Sequence, residues 1–354
     1  MSGFAQRNPV WTVIIAVIVA GLLWMMIAPW PEGLEAFMGR KRIFLNAVFN
    51  GITLGALYFL VASGFTLIFG LMKNVNLAHG SLYLLGGYIG YEFAEATGSW
   101  LGSFVVSFIV IAALGVVLQY LVFRRMEGQD LRQTLVTIGI SVVLADIMLW
   151  VWGGQSYQIL TPDWLSGPVT LPLISGTNRS GELVYLTFPA VRIAILVASI
   201  ALGILMWLAL NRTRVGMLIR AGSTNAPMVS ALGVNIKALN SLVFALGAAL
   251  AGLAGLMSGP ILSVQPGMGD PILILTLVVI IIGGIGSVRG ALLGALLVGV
   301  VDTVGRTFLP IWLGAVFQPT IAQAAGPAIA SMLIYLLMAA VLAFRPQGLF
   351  PARA

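Results

Sequence analysis

The sequence predicts an all-α polytopic membrane protein, with about ten transmembrane helices in two inverted-topology repeats of five. Three observations lead there. Of the 354 residues, 60% are apolar and 8% charged, whereas a soluble domain carries about 25% charged residues. The apolar residues run continuously instead of alternating with polar ones in short segments, which selects helices over a barrel. The two halves also repeat one local pattern, a Gly-rich helix followed by a polar break.

The net charge of +7 points either to nucleic acid or to an anionic membrane surface. Its distribution decides between them, because most basic residues sit in short loops between apolar runs, as the positive-inside rule requires. The lipid bilayer is the partner so implied, and nucleic acid is excluded. There is no cysteine and one histidine, His79, which leaves no material for disulfides, thiolate sites or a multi-histidine metal centre. No cofactor is expected.

Taken in order, the first apolar run covers 10–28, after Arg7. It is long for the apolar core of a cleaved signal, and Pro29, Trp30 and Pro31 make a poor cleavage site, so it is expected to remain as a helix. Further spans are expected near 44–71, 77–97, 101–123 and 131–152, from apolar stretches bounded by polar punctuation. Residues 153–188 are a long polar insertion whose Pro162, Pro168, Pro172 and Gly176 mark an extramembrane loop. The second set of spans lies near 189–210, 241–263, 272–286, 290–309 and 328–344. The chain therefore divides into a first helical repeat at 1–152, the loop at 153–188, and a second repeat at 189–350 that carries a basic loop at 211–239.

That basic loop sets the orientation. Arg212, Arg214, Arg220 and Lys237 have no acidic neighbour within it, so it belongs in the cytoplasm. Counting spans outward also puts Arg124, Arg125, Arg132, Arg289, Arg345 and Arg353 inside, with both termini. Arg40, Lys41 and Arg42 fall outside, against the rule, and only long side chains reaching toward headgroups would ease that.

The repeated pattern starts at Asn50, which opens a Gly-rich helix. The break from Lys73 to Ser81 follows, and then a helix ending Gly86-Gly87-Tyr88-Ile89-Gly90. In the second half Asn240 precedes a Gly-rich helix, a break from Ser263 to Pro271, and a helix ending Gly283-Gly284-Ile285-Gly286. An odd number of spans separates the two copies, so they run in opposite directions, as in transporters whose sites lie where broken helices of two halves meet. Chance likeness between Gly-rich helices is the plainer alternative.

Polar groups at membrane depth are tolerated where protein or a water-filled cavity covers them. On that ground Asn76, His79 and Ser81 from the first break, with Gln265, Gly267 and Gly269 from the second, are the candidate residues of a solute path. The bland reading makes the first break a cytoplasmic turn with His79 capping a helix. Asp302 and Arg306 are one turn apart and are expected to pair. Asp146 lies deep in a span without a local partner; it is either a proton relay or, the preferred reading, turned inward and hydrogen-bonded. None of the three lysines, Lys41, Lys73 and Lys237, follows a glycine, so there is no phosphate-binding loop and the chain is not expected to be an enzyme.

Asn50-Gly51-Ile52-Thr53-Leu54-Gly55-Ala56-Leu57-Tyr58, Asn76-Leu77-Ala78-His79-Gly80, Leu232-Gly233-Val234-Asn235, Gly283-Gly284-Ile285-Gly286-Ser287-Val288-Arg289-Gly290-Ala291 and Arg345-Pro346-Gln347-Gly348-Leu349-Phe350 together resemble the branched-chain amino-acid permease family of bacterial ABC importers. The Asn-Leu-Ala-His-Gly run is similar to its H-type subunit. The resemblance implies a multi-pass inner-membrane permease that forms a heterodimer with an M-type permease, with two cytoplasmic ATPase subunits and a periplasmic binding protein that delivers branched-chain amino acids or related small polar solutes. It implies that 153–188 is periplasmic and that Arg220, Asn225, Met228, Leu232 and Gly233 belong to a coupling helix on the ATPase. The first helix and Asp146 depart from the family pattern. A self-contained secondary transporter would need more buried carboxylates, and an intramembrane enzyme a paired acid and base.

Overall fold

In the computed structural model, which describes residues 40–126, 128–177 and 182–350 with Gly21, Trp24, Met25, Met26, Trp30 and Glu35, each predicted span from 44 onward is a helix. The span expected at 10–28 lies outside the described residues. The helices are α1 (Lys41–Met72), α2 (His79–Thr97), α3 (Trp100–Leu121), α4 (Asp130–Trp152), α5 (Ala190–Arg212), α6 (Arg214–Ala231), α7 (Ile236–Leu262), α8 (Gly269–Gly283), α9 (Val288–Gly314) and α10 (Pro319–Phe344). Among the described residues seven helices, α1, α3, α4, α5, α7, α9 and α10, are long and apolar enough to cross a membrane. At 15 residues α8 is shorter, and α2 carries Glu92 and Glu95 near its end.

Helix ends are set by short polar side chains and glycines. Ser99, Thr213, Asn235 and Ser287 accept hydrogen bonds from Gly102 N, Gly216 N, Ala238 N and Gly290 N at 3.0–3.1 Å, satisfying backbone donors that a helix start leaves open. Gly98, at φ +67°, ends α2. The carbonyls at the end of α8 are satisfied from far along the chain: Leu349 N donates to Ile282 O at 2.9 Å and Phe350 N to Gly283 O at 2.8 Å. Two of the sequence motifs are thus partners in space.

The centre of the fold is α1 crossing α7. Gly64 and Gly247 lie at the crossing, where a Cβ on Gly64 would sit 2.4 Å from Gly247 O; only absent side chains let the backbones approach so closely. Around this pair, α9 packs on α1 as α3 packs on α7. Likewise α2 packs on α3 and α4, as α8 packs on α9 and α10. The outer helices α4, α5 and α10 bury little of themselves.

The insertion corrects the all-α expectation. Pro168–Thr177 and Leu183–Pro189 form an antiparallel hairpin, β1 and β2, with Thr170 opposite Thr187 and two register shifts before Gly176. Val169, Thr170, Ile174, Val184, Tyr185 and Phe188 are residues that fit a pleated surface. Leu186 and Phe188 are buried, and the hairpin rests on α1. Arg42 donates to Thr187 Oγ1 at 3.1 Å, so a basic side chain outside the positive-inside pattern is held by the polypeptide.

Candidate functional site

The two polar breaks meet. Lys73, in the left-handed region at φ +52°, ends α1 and turns the chain into residues 74–78. From there α2 starts at His79, and Gly80 lies against Gly269, the first residue of α8. The N-termini of two apolar helices from different halves therefore come together, each with open backbone donors and a partial positive charge.

The first break is held from the side by α4. Asn74 Nδ2 donates to Gln133 Oε1, and Thr134 Oγ1 donates to Asn74 Oδ1 at 3.2 Å. Leu77 N donates to Thr137 Oγ1 at 3.0 Å, and the Ser81 and Ser141 hydroxyls are 2.8 Å apart. Gln133, Thr137 and Ser141 recur every four residues along one face of α4, a polar stripe in an apolar helix. That periodicity is legible in the sequence and went unused.

Asn76, His79 and Ser81 are all buried. Asn76 Oδ1 accepts from Ala78 N at 3.1 Å, a turn that caps the entry into α2. His79 is fully enclosed: its Nε2 is 3.1 Å from Val61 O and its ring meets the edge of Phe65 at 5.5 Å. The remaining polar atoms, Asn76 Nδ2 and His79 Nδ1, have no partner among the described residues.

In the second break Ser263 takes φ +62° and Val264 forms a bridge with Tyr157, at 2.7 and 2.8 Å. Gln265 is exposed and its Oε1 accepts from Ser156 Oγ at 3.1 Å. Gly267 is exposed at φ +80°, while Gly269 is buried. The structure thus joins the His79 side of the first break to Gly269 and leaves Gln265 and Gly267 on the open side of the second. Beside the contact runs an apolar crevice lined by Leu57, Tyr58, Val61, Tyr83, Leu262 and Ile272, too narrow for a water molecule. Tyr83 donates to Ser258 Oγ at 2.7 Å across this region, a polar link between the halves that sequence reasoning missed. Asp270 was also missed; it is exposed in the first turn of α8.

The basic loop is helical but differs from the expected single helix over 220–233. α6 begins at Arg214, and Asn225 breaks it with φ −150° and ψ 85°. Asn225 Oδ1 then accepts from Met228 N at 3.0 Å, capping a second short segment, with Pro227 in its first turn where a missing N–H costs nothing. Arg220 turns back to donate to Leu210 O at the end of α5. Met228 and Leu232 are exposed, at 63% and 75%. Val229, between them in sequence, is buried. Gly233, at φ +87°, ends the segment.

Two charged sites resolve. Arg306 donates to Asp302 Oδ1 at 2.6 Å and to Ser331 Oγ at 2.8 Å, as the one-turn spacing predicts. Asp146 is the correction: it is exposed on α4, facing away from the Gln133–Ser141 stripe that holds the helix to the bundle. Arg192, half-buried near the start of α5, donates to Asn50 Oδ1 at 2.8 Å, which gives the first residue of that motif a structural partner.

Comparison with known proteins identifies the family. Residues 47–342 match the model of the family described as branched-chain amino acid transport system / permease component. The high-affinity branched-chain amino acid transport system permease protein LivH of Salmonella typhimurium is 30% identical over 75% of this chain and 87% of its own. BraD of Pseudomonas aeruginosa, of the same description, is 27% identical over 86% of this chain and 95% of its own. LivH of Escherichia coli K12 is 29% identical, over 75% and 87%. With most of its length matched and its helices apolar, the chain belongs to the branched-chain amino acid transport system permease component family.

Proposed function

We propose that this chain is the membrane permease subunit of an ATP-driven importer that passes branched-chain amino acids, or related small polar solutes, across the bacterial inner membrane. In this reading a periplasmic binding protein delivers the solute, two separate cytoplasmic ATPase subunits hydrolyse ATP, and an M-type permease completes the membrane part. The chain itself then performs no chemistry; it supplies ten spans in two inverted halves of five, 1–152 and 189–350, joined by the periplasmic insertion 153–188.

The observation that carries the reading is the meeting of Gly80 with Gly269. Discontinuous helices from two halves, touching N-terminus to N-terminus, offer backbone donors to a carboxylate passing at that depth. The exchangeable packing pattern of the two halves supports the inverted repeat. Gln265 and Gly267 then stand on the open side of the route. Asn76, His79, Ser81 and Gly269 hold its buried wall, which moves apart during the cycle.

On the cytoplasmic side the exposed Met228 and Leu232 offer an apolar pair to a groove, with Asn225 and Gly233 fixing the ends of their segment. Arg220 anchors the preceding segment to α5. The test is uptake of labelled leucine by the complex in proteoliposomes, with binding protein outside and ATP inside. ATP-dependent accumulation is expected; accumulation driven equally well by an ion gradient without ATP overturns the reading.

A further inference from the structure

The crevice beside the Gly80–Gly269 contact is built from both halves, with Leu57, Tyr58 and Val61 of α1 and Tyr83 of α2 from the first and Leu262 of α7 and Ile272 of α8 from the second. Its α1 and α2 walls are 1–5% exposed, and Leu262 ends α7 next to the second break. The polar end of Tyr83 is engaged elsewhere: its hydroxyl donates to Ser258 Oγ, and Ser258 in turn donates to Gly255 O, both at 2.7 Å. The crevice is therefore offered the ring and not the hydroxyl.

Too narrow for water, it is in this state a dry apolar gap. Protein interiors are packed to leave few such gaps, because a surface facing a void forfeits its dispersion contacts. A gap kept where two halves meet is explained when the missing contacts are made in another state of the cycle, with an apolar group between the walls.

The position of the gap says what that group is. Tyr83 and Ile272 each stand three residues beyond the glycine that touches its counterpart, a distance of about 4.5 Å along either helix. Backbone donors at the helix starts suit a carboxylate, and one turn away the surface is aliphatic and aromatic. A compound with a carboxylate and a short aliphatic side chain on the neighbouring carbon spans the two. We propose that this crevice is the subsite that receives the aliphatic side chain of the solute once α2 and α8 move apart, and that Tyr83 and Ile272 limit the side-chain bulk it accepts. The permease then sorts solutes a second time after delivery. The identity of the solute rests on the importer reading above; the place of the subsite rests on the crevice.

The test uses the assembled transporter in proteoliposomes with its binding protein. A leucine analogue carrying a diazirine on its side chain is supplied, the sample is illuminated during ATP turnover, and adducts are mapped by mass spectrometry. Adducts on crevice residues of both halves, removed by excess unlabelled leucine, are expected. Adducts confined to other positions, or crevice adducts that excess leucine leaves in place, overturn the proposal. In parallel, uptake of leucine and of valine is compared for wild type, Ile272→Ala, Ile272→Phe and, as a control, Ile334→Ala, a buried isoleucine of α10 outside the crevice. One binding protein serves every variant, so its own preference cancels in the comparison. Ile272→Ala should raise the leucine-to-valine ratio and Ile272→Phe lower it, each by about tenfold, as a difference of one methylene does in a fitted pocket. An unchanged ratio in both, or an equal shift in Ile334→Ala, overturns the limit on bulk. Wild-type complexes that take up neither amino acid would instead count against the importer reading, while the adduct map, which needs the solute only to be bound, still decides the subsite.

Discussion

Gly80 and Gly269 touch backbone to backbone: a Cβ on Gly80 would lie 2.4 Å from Gly269 O, and one on Gly269 would lie 2.5 Å from Gly80 O. Neither residue needs a left-handed backbone, so what excludes a side chain is the facing carbonyl, which cannot yield without moving a whole helix. The two breaks are therefore coupled mechanically.

Gly269→Val should separate α2 from α8. Overpacking of a tight contact costs about 1–3 kcal/mol, so the melting temperature of the purified protein should fall and leucine uptake should drop by about tenfold or more. Gly267→Ala is the contrast: its φ of +80° is strained for alanine, by about 1–2 kcal/mol, but the space around it is open. Equal loss of uptake in both variants would show that the close contact has no special part in transport.

His79→Ala removes a fully buried ring from between Val61 and Phe65, so a stability loss of about 2–4 kcal/mol accompanies any change in transport. The transport rate should fall more than solute preference shifts, since the ring is walled off from the open side. Gln265→Ala should leave stability within about 0.5 kcal/mol, as an exposed substitution does, and lower uptake alone. Ser199→Ala serves as the control, and wild-type uptake in both variants would return the breaks to simple turns.

Leu232→Asp should leave assembly of the membrane part intact and uncouple ATP hydrolysis from uptake, because the side chain is 75% exposed. Asn225→Ala removes a cap worth about 1 kcal/mol and should weaken binding-protein-stimulated hydrolysis without abolishing it. Normal uptake and stimulation in Leu232→Asp would make the segment a linker.

Orientation is open to labelling because the chain has no native cysteine. Ser166→Cys beside the hairpin and Ser230→Cys on α6 are both at exposed positions. An impermeant thiol reagent applied to intact cells should modify the first and spare the second until the membrane is opened. Modification of both from outside would reverse the expected topology.

Much of this was legible in the sequence for plain physical reasons. Continuous apolar runs mark the helices, and the four-residue spacing of Asp302 and Arg306 gives their pair directly. The hairpin was read as loop because its prolines at 168 and 172 hid a run of β-branched and aromatic residues. Asp146 was expected to face inward on depth alone; which side of α4 is buried depends on the stripe from Gln133 to Ser141, and only the packing of α2 reveals it. Ser175, within the segment expected as an extramembrane loop, is buried and donates to Val184 O, since strand alternation cannot be followed through register shifts. The kink at Asn225 was written in its sequence, an asparagine followed two residues later by proline, but amphipathic spacing drew attention away from it.

The bonds from Leu349 and Phe350 to the end of α8 have a consequence for how the protein is made. The carbonyls of Ile282 and Gly283 receive these donors only after α9 and α10 have been synthesised. The end of α8 is thus closed by a late event in synthesis. A quality-control protease that reads unsatisfied helix ends would have a window in which to act, and chains stalled before residue 349 should turn over faster than finished ones.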